Sequence, residues 1–270
     1  MEQELLKKYD HLKQILAGWN RVIVAFSGGV DSTLLLKTAA DVLGTHAVAV
    51  TAVSETLSRS EGNAARQFTH DHGIPHILLD TPEMADEHFT GNDKERCYHC
   101  KKIRFGRLMD YAHAHHIPAV LDGANVDDMS DYRPGIKAGR ELGIKSPFVE
   151  AGLTKKDIRT LSKALGLPTW DKPAYACLAT RIPYDRPITP AKLDTIDRGE
   201  TFLRGLGFSP ALRVRHYDDT VRLEVDPDDM VKLLAQPGRA SIIDYFKHLG
   251  FTYVTLDLEG FQSGSMNQTL

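Results

Sequence analysis

The stretch Val22-Ile23-Val24-Ala25-Phe26-Ser27-Gly28-Gly29-Val30-Asp31-Ser32 constrains this chain more than any other. Four of its first five residues are β-branched or aromatic, a short polar and glycine-rich turn follows, and residues 33–43 carry an apolar helical pattern. The spacing predicts a strand, a tight loop and a helix. Such a loop leaves backbone N–H groups at a helix N-terminus, where they and the helix dipole favour an anion. Gly28 and Gly29 let the backbone come close to a ligand, Ser27 and Ser32 add hydroxyl donors, and Asp31 can orient the loop or hold a metal ion beside phosphates. The ligand that suits this set is a phosphate.

The loop has neither the spacing nor the lysine of a Walker A motif, and it is not a G-x-G-x-x-G dinucleotide fingerprint. Residues 27–32 instead match the SGGxDS loop of the PP-loop ATP pyrophosphatases, against the plain alternative of a serine and glycine turn. The resemblance implies that ATP is cleaved to AMP and pyrophosphate while an acceptor is adenylated, so ATP and Mg2+ are the expected cofactors.

Apolar runs at residues 47–53, 77–79 and 119–122 read as further strands, separated by amphipathic helical patterns, one of them beginning near Cys97. This alternation predicts an α/β fold with a doubly wound parallel sheet. Ligands of such sheets meet the carboxyl ends of the strands, which adds Ser54, Gly123 and Asn125 to the expected ATP site, with the adenine or ribose near Ser54. Asp128 and Arg133 lie in the following stretch, 125–135, whose acids either form a solvated loop or handle magnesium and phosphate. Residues 83–93 read as a loop. Thr154 with Asp157 caps a helix ending at Gly166, and Thr189 with Pro190 opens another. Paired strands at 212–216 and 221–225, helices after Asp226 and near 241–248, and a last strand at 253–257 make a smaller α/β unit. We expect a nucleotide domain over 1–170 and a C-terminal domain for substrate binding and oligomerisation over 171–270.

A formal net charge of -3 gives no global pull toward nucleic acid, and no apolar run approaches the roughly 20 residues that span a bilayer. The polar, acidic start of the chain does not read as a secretory signal, so the expected location is the cytoplasm. In a reducing compartment three cysteines point to metal or sulfur chemistry before disulfides. Cys97 and Cys100 form a C-x-x-C pair, and Cys177 lies in a proline-rich loop. Converging thiolates suit an iron–sulfur cluster, and a cube held by three of them leaves its fourth iron open to sulfide. A zinc site completed by His99, a redox dithiol and independent buried cysteines are the competing readings.

Taken together, residues 24–34, 120–123, 131–135, 181–184, 213–215 and 253–261 resemble the LarE family of ATP-dependent sulfur transferases over nearly the whole chain. The resemblance implies a pyridinium mononucleotide substrate whose two carboxylates are adenylated and converted to thiocarboxylates for the nickel-pincer nucleotide. It also implies a homo-oligomer, with a hexamer among the arrangements, and sulfur from sulfide or a donor protein. One branch of the family sacrifices its own cysteine. The other carries three and is linked to a [4Fe-4S] cluster, the branch that Cys97, Cys100 and Cys177 resemble as ligands and sulfur carriers. Aligned backward from Arg181, Cys177 stands one residue from the sacrificial position, which favours the cluster branch and leaves the sacrificial role as the alternative. Arg181, Arg213 and Arg215 suit phosphate and carboxylate by their forked donors, Glu200 matches a family position near the substrate, and Lys101 lies beside the cysteine pair. Without the resemblance, Arg213 and Arg215 read equally as a solvated strand face, and Glu200 as a surface residue.

Other functions remain to be separated from this one. A tRNA thiolase with the same loop would adenylate a base carbonyl and bind tRNA in a salt-sensitive way. An amide-forming ligase would turn over ammonia and leave the cysteines without a task. A nucleotide-binding regulatory module would bind ATP and never release pyrophosphate.

Overall fold

A computed structural model of the protein describes residues 3–129, 134–173, 177–235, 238–262 and 265–266. In chain order the elements are α1 (Gln3–Ala17), β1 (Val22–Ala25), α2 (Val30–Leu43), β2 (Ala47–Val53), α3 (Arg59–Asp71), β3 (His76–Asp80), α4 (Glu87–Thr90), α5 (Arg96–Ala114), β4 (Ala119–Leu121), α6 (Pro134–Glu141), α7 (Pro147–Glu150), α8 (Lys155–Ala164), α9 (Pro190–Gly205), β5 (Arg213–Tyr217), β6 (Thr220–Glu224), α10 (Met230–Leu234), α11 (Gly238–His248) and β7 (Tyr253–Leu256).

They form two compact units. The first comprises Met1–Ser54, Arg59–Glu83 and Glu95–Tyr175, and the second comprises Glu55–Ser58, Met84–Lys94 and Ala176–Leu270. The first unit holds a parallel sheet in the order β3-β2-β1-β4. Its short central strands are almost wholly apolar because both faces are covered. Val22, Val24, Ala47, Ala49 and Leu121 face a core completed by α1, α2 and α8, whereas Ile23, Val48, Val50 and Val120 face Phe105 and Leu108 of α5. From β1 the chain builds outward to β2 and β3, then returns to place β4 on the other side of β1. This reversal opens a crevice at the carboxyl ends of β1 and β4, where ligands of open α/β sheets bind.

In the second unit β5 and β6 are antiparallel and β7 joins β6 in parallel. Val214, Val221, Leu223, Phe246 and Phe251 fill its core. Residues 83–93, expected as a loop, contain α4: the Asp86 carboxylate accepts from the Phe89 N–H at 2.9 Å, and Phe89 is buried. Local capping plus one apolar anchor makes a single turn too short to show as a periodic pattern. The predicted capping box of Thr154 and Asp157 is present at α8, and Thr189 and Pro190 stand at N-cap and N1 of α9.

Candidate nucleotide site and buried arginine cluster

The loop between β1 and α2 is held by its own hydroxyls. Ser27 Oγ and Ser32 Oγ stand 3.1 Å apart, the Ser27 N–H donates to Ser32 Oγ at 3.3 Å, and Ser32 Oγ donates to the Gly29 carbonyl at 3.3 Å. Gly28 adopts φ +70°, the left-handed conformation that other residues take at a cost. Gly29 is the N-cap of α2 and provides no side-chain cap, so the first N–H groups of the helix are left for a ligand.

Beneath the loop lies a buried polar chain. Thr51 Oγ1 donates to the Phe26 carbonyl at 2.7 Å and stands 2.8 Å from His76 Nε2, while Thr69 Oγ1 stands 2.9 Å from His76 Nδ1. Burial, helped by the charge of Arg66, pushes the His76 imidazole below its ordinary pKa, so it is held neutral. On the other side of the crevice, a Cβ added to Gly123 would lie 3.0 Å from the Cβ of Asp31 and 3.2 Å from the Ser32 nitrogen. Only a glycine lets the end of β4 come this close to the phosphate loop. Asn125 is buried in a tight turn, its Oδ1 accepting from Asp127 N–H and its own N–H donating to Asp128 Oδ2.

The structure thus brings Ser27, Gly28, Gly29, Asp31, Ser32 and Gly123 to one crevice. Ser54 is set differently. Its hydroxyl donates to the buried Glu83 at 2.6 Å, and Arg104 donates to the same Glu83 oxygen through Nε and Nη2. Burial alone would raise the Glu83 pKa, but the Arg104 charge and the Ser54 and Thr81 hydroxyls outweigh it and hold the carboxylate below its usual range. Arg133 lies outside the described residues.

Two lysines that sequence reasoning did not single out also reach this loop. Lys155 pairs with Asp31 Oδ2. Lys172 Nζ donates to the Gly28 carbonyl at 3.0 Å and to Glu61 Oε2 at 2.8 Å. Lys155 occupies the first position of α8, where the helix dipole disfavours a cation, and this mismatch was the one sequence signal available for it. The other Asp31 oxygen, Oδ1, is buried and has no hydrogen-bond partner among the described residues. An unsatisfied carboxylate oxygen beside a phosphate loop fits an Mg2+ ligand, and Asp31 would hold the ion there.

In the second unit, Arg181 is fully buried. It donates to Glu200 through Nε at 2.8 Å and Nη2 at 3.3 Å, and to the Cys177 carbonyl and Thr180 Oγ1 through Nη1. Glu200 also accepts from Arg204 at 2.6 Å. Burial would raise its pKa, yet Arg181, Arg204 and Arg213 more than reverse that and keep it ionised. Arg215 forks onto Glu224 at 2.9 and 2.7 Å and donates to the Thr180 carbonyl. Glu200 is therefore no surface residue, and Arg213 and Arg215, each 4% exposed, are no solvated strand face. The carboxylates that bury these arginines lie on α9 and β6, a pairing that only the tertiary fold reveals.

Cys97 and Cys100 stand one turn apart at the start of α5, the first exposed and the second buried, whereas Cys177 belongs to the second unit. Lys101, beside them, lies with its ammonium 4.7 Å over the Phe105 ring. Among the described residues no three His, Cys, Asp or Glu side chains are grouped as a metal site. The chemistry of the donor set, soft thiolates at helical i, i+3 spacing, fits two ligands of a cluster.

A serine- and glycine-rich loop at the switch point of a parallel sheet, with Asp31 beside it, defines an ATP-using enzyme of the PP-loop class. No family model matches the chain. It is 43% identical over 266 residues to an uncharacterised protein of Synechocystis, covering 98% of this chain and 99% of that one. It is 40% identical over 267 residues to the pyridinium-3,5-bisthiocarboxylic acid mononucleotide synthase of Lactiplantibacillus plantarum, covering 98% and 96%. One of the subunits of the glutamine-hydrolysing GMP synthase of Thermoplasma acidophilum is 30% identical over 192 residues, 66% of this chain and 61% of its own length. The chain belongs to the LarE family of ATP-dependent sulfurtransferases.

Proposed function

We propose that the chain adenylates the carboxylates of pyridinium-3,5-biscarboxylic acid mononucleotide and converts them to thiocarboxylates for nickel-pincer cofactor synthesis. The observation that carries this reading is the hydroxyl-braced loop with Asp31 beside it, in a chain 40% identical along nearly its whole length to the synthase of that bisthiocarboxylic acid. A carboxylate oxygen of the substrate attacks the α-phosphorus of ATP, the α–β bridging P–O bond breaks, and pyrophosphate leaves. Hydrosulfide then attacks the acyl carbon and AMP departs with the former carboxylate oxygen, giving thiocarboxylate and one proton. The phosphate loop binds the nucleotide, and Asp31 would hold the Mg2+ that offsets charge on the phosphates. Ser54, Asn125, Asp128 and Arg133 complete our assignment of the ATP site.

Substrate recognition falls to cations. In the second unit the guanidinium groups of Arg181, Arg204 and Arg213 gather around the Glu200 carboxylate, and forked donors of this kind suit a ligand bearing phosphate and carboxylates. We assign Arg181, Arg213, Arg215, Glu200 and Lys101 to that ligand. Cys97, Cys100 and Cys177 would hold a [4Fe-4S] cluster, which when bound supplies an iron open to exogenous sulfide. The donor is free sulfide or a sulfur-carrying protein, and the enzyme acts as a cytoplasmic homo-oligomer. No described helix is long and apolar enough to cross a membrane.

The test is anaerobic turnover. Protein with ATP, Mg2+, the biscarboxylate and sulfide is expected to release AMP and pyrophosphate only when the biscarboxylate is present, with the thiocarboxylates seen by mass spectrometry. Pyrophosphate release that follows ammonia or tRNA instead would overturn the assignment. Iron and acid-labile sulfide in protein purified without oxygen, lost in Cys97→Ala, test the cluster; iron-free protein with dehydroalanine at Cys177 after turnover would replace it with a sacrificial cysteine.

A further inference from the structure

A hydroxyl has one proton and two lone pairs, so the direction in which it gives that proton decides what a ligand can offer it. At Ser54 the direction is fixed. The proton goes to Glu83 Oε1 at 2.6 Å, while Arg104 donates to Ser54 Oγ through Nη2 at 3.3 Å and to Glu83 Oε1 through Nε and Nη2 at 2.7 and 2.6 Å. Any further group that meets Ser54 Oγ must therefore donate to it. Resting on the ATP-dependent reading above, we propose that Ser54 accepts from the exocyclic amine of adenine and so selects ATP over nucleotides that carry a carbonyl at that position, with Glu83 and Arg104 as the positioning residues that hold its polarity.

The place of Ser54 suits the base. Phe26 N–H donates to the Val50 carbonyl at 2.9 Å, which sets the end of β1, where the phosphate loop begins, level with Val50. Ser54 lies four residues further along, about 13 Å at the rise of a strand. The ladder runs on to that point: just past the pair formed by Val53 and Asp80, Thr81 N–H donates to the Val53 carbonyl at 3.0 Å. A nucleotide with its phosphates on the loop and its length along the strand ends brings its base to Ser54. The serine is partly exposed there, whereas Glu83 is fully buried and acts on it from behind.

Glu83 is what makes the polarity lasting. An ionised carboxylate has no proton to give, and the Arg104 guanidinium paired with it keeps it ionised, so between Ser54 and Glu83 only the serine can donate. An unanchored hydroxyl would turn its proton toward a carbonyl and take hypoxanthine or guanine as readily as adenine. Here that turn would leave two acceptor oxygens facing each other at 2.6 Å and strip a buried carboxylate of a donor, which is costly. Discrimination of this kind comes from a polar group that cannot adapt to the wrong partner.

The test is calorimetric binding of ATP, inosine triphosphate and purine riboside triphosphate, each with Mg2+, to the full-length protein and to Ser54→Ala and Glu83→Gln. Inosine triphosphate replaces the amine by a carbonyl, and purine riboside triphosphate removes it. The unmodified protein is expected to bind ATP about 10-fold or more tighter than inosine triphosphate, with purine riboside triphosphate between them. Ser54→Ala should bring all three within about threefold of one another. Glu83→Gln supplies an amide that donates to Ser54 Oγ and releases the serine proton, so inosine triphosphate should bind more tightly than it does to the unmodified protein. A packing role alone for Glu83 would weaken all three nucleotides together, and that result would overturn its positioning role. Equal binding of ATP and inosine triphosphate by the unmodified protein, or discrimination that survives Ser54→Ala, would overturn the proposal and leave the ATP-dependent reading standing. A protein that binds none of the three would overturn both.

Discussion

Thr51→Val isolates the chain of hydrogen bonds under the phosphate loop. The Thr51 hydroxyl has one proton, which goes to the Phe26 carbonyl at 2.7 Å, and its oxygen stands 2.8 Å from His76 Nε2. Valine keeps the shape and removes both bonds, and Thr51 and Phe26 are each only 2% exposed, which shuts out replacement by bulk water. A buried group left without its partner costs about 1–3 kcal/mol. Two such groups in one network are not additive, and roughly 2–4 kcal/mol is the expected total. With a urea m-value of about 1–3 kcal/mol per M, the midpoint should fall by roughly 1–2 M. Tryptophan fluorescence is the suitable assay, because both tryptophans, Trp19 and Trp170, belong to the first unit and unfolding of the second does not contribute. Thr51→Ser keeps the hydroxyl and should recover most of the stability, and Thr51→Val combined with His76→Phe should cost less than the sum of the two. A loss below about 0.5 kcal/mol, or a serine variant as weak as the valine, would refute the argued role of the hydroxyl.

The pH dependence of the same transition follows from His76 and Glu83. A histidine with a lowered folded pKa contributes no penalty above its ordinary value near 6.5, and stability is lost as the pH falls from there toward the folded pKa; urea midpoints should drop below about pH 6.5, and His76→Phe should flatten that first loss. Glu83, also lowered, stabilises above its ordinary value near 4.5 and gives a second loss at lower pH, which Glu83→Gln should remove. Glu200→Gln leaves the buried Arg181 without its counter-charge and should cost about 3–5 kcal/mol, seen as a lowered thermal transition of the second unit by circular dichroism; a change under about 1 kcal/mol would contradict the pairing. Gly123→Ala drives a methyl group against Asp31 and the Ser32 nitrogen, costs about 1–3 kcal/mol, and should weaken ATP and AMP alike in a binding assay.

The nucleotide half of the fold was legible because its cause is local. Buried parallel strands need continuous apolar residues, and the run at 22–26 ahead of Ser27-Gly28-Gly29 can hardly be anything but a strand entering a phosphate loop. The place of Asp31 followed from the loop motif, and that of Gly123 beside it from the end of β4. Lys155 and Lys172 were not singled out, since beyond the dipole mismatch at the start of α8 nothing local shows the carboxylates, 124 and 111 residues away, that they meet. The buried arginines failed for a related reason. Charge suggests exposure, and only the partners on α9 and β6 make burial of Arg181 and Arg215 affordable. The resemblance of the chain to its family supplied Glu200 where periodicity did not.

The second unit takes in Met84–Lys94, a segment made long before most of its neighbours. Asn92, at φ 63°, donates from its side chain to the carbonyls of Pro183 and Arg186 at 2.7 and 2.8 Å, residues 91 and 94 positions later. At a synthesis rate of about 5–20 residues per second, that partner loop reaches the nascent chain roughly 5–20 s after Asn92 does. Through that interval Phe89, which ends up 1% exposed, has no finished core to enter. During synthesis the segment between β3 and α5 therefore waits, with its apolar anchor unburied, for the rest of the unit it belongs to.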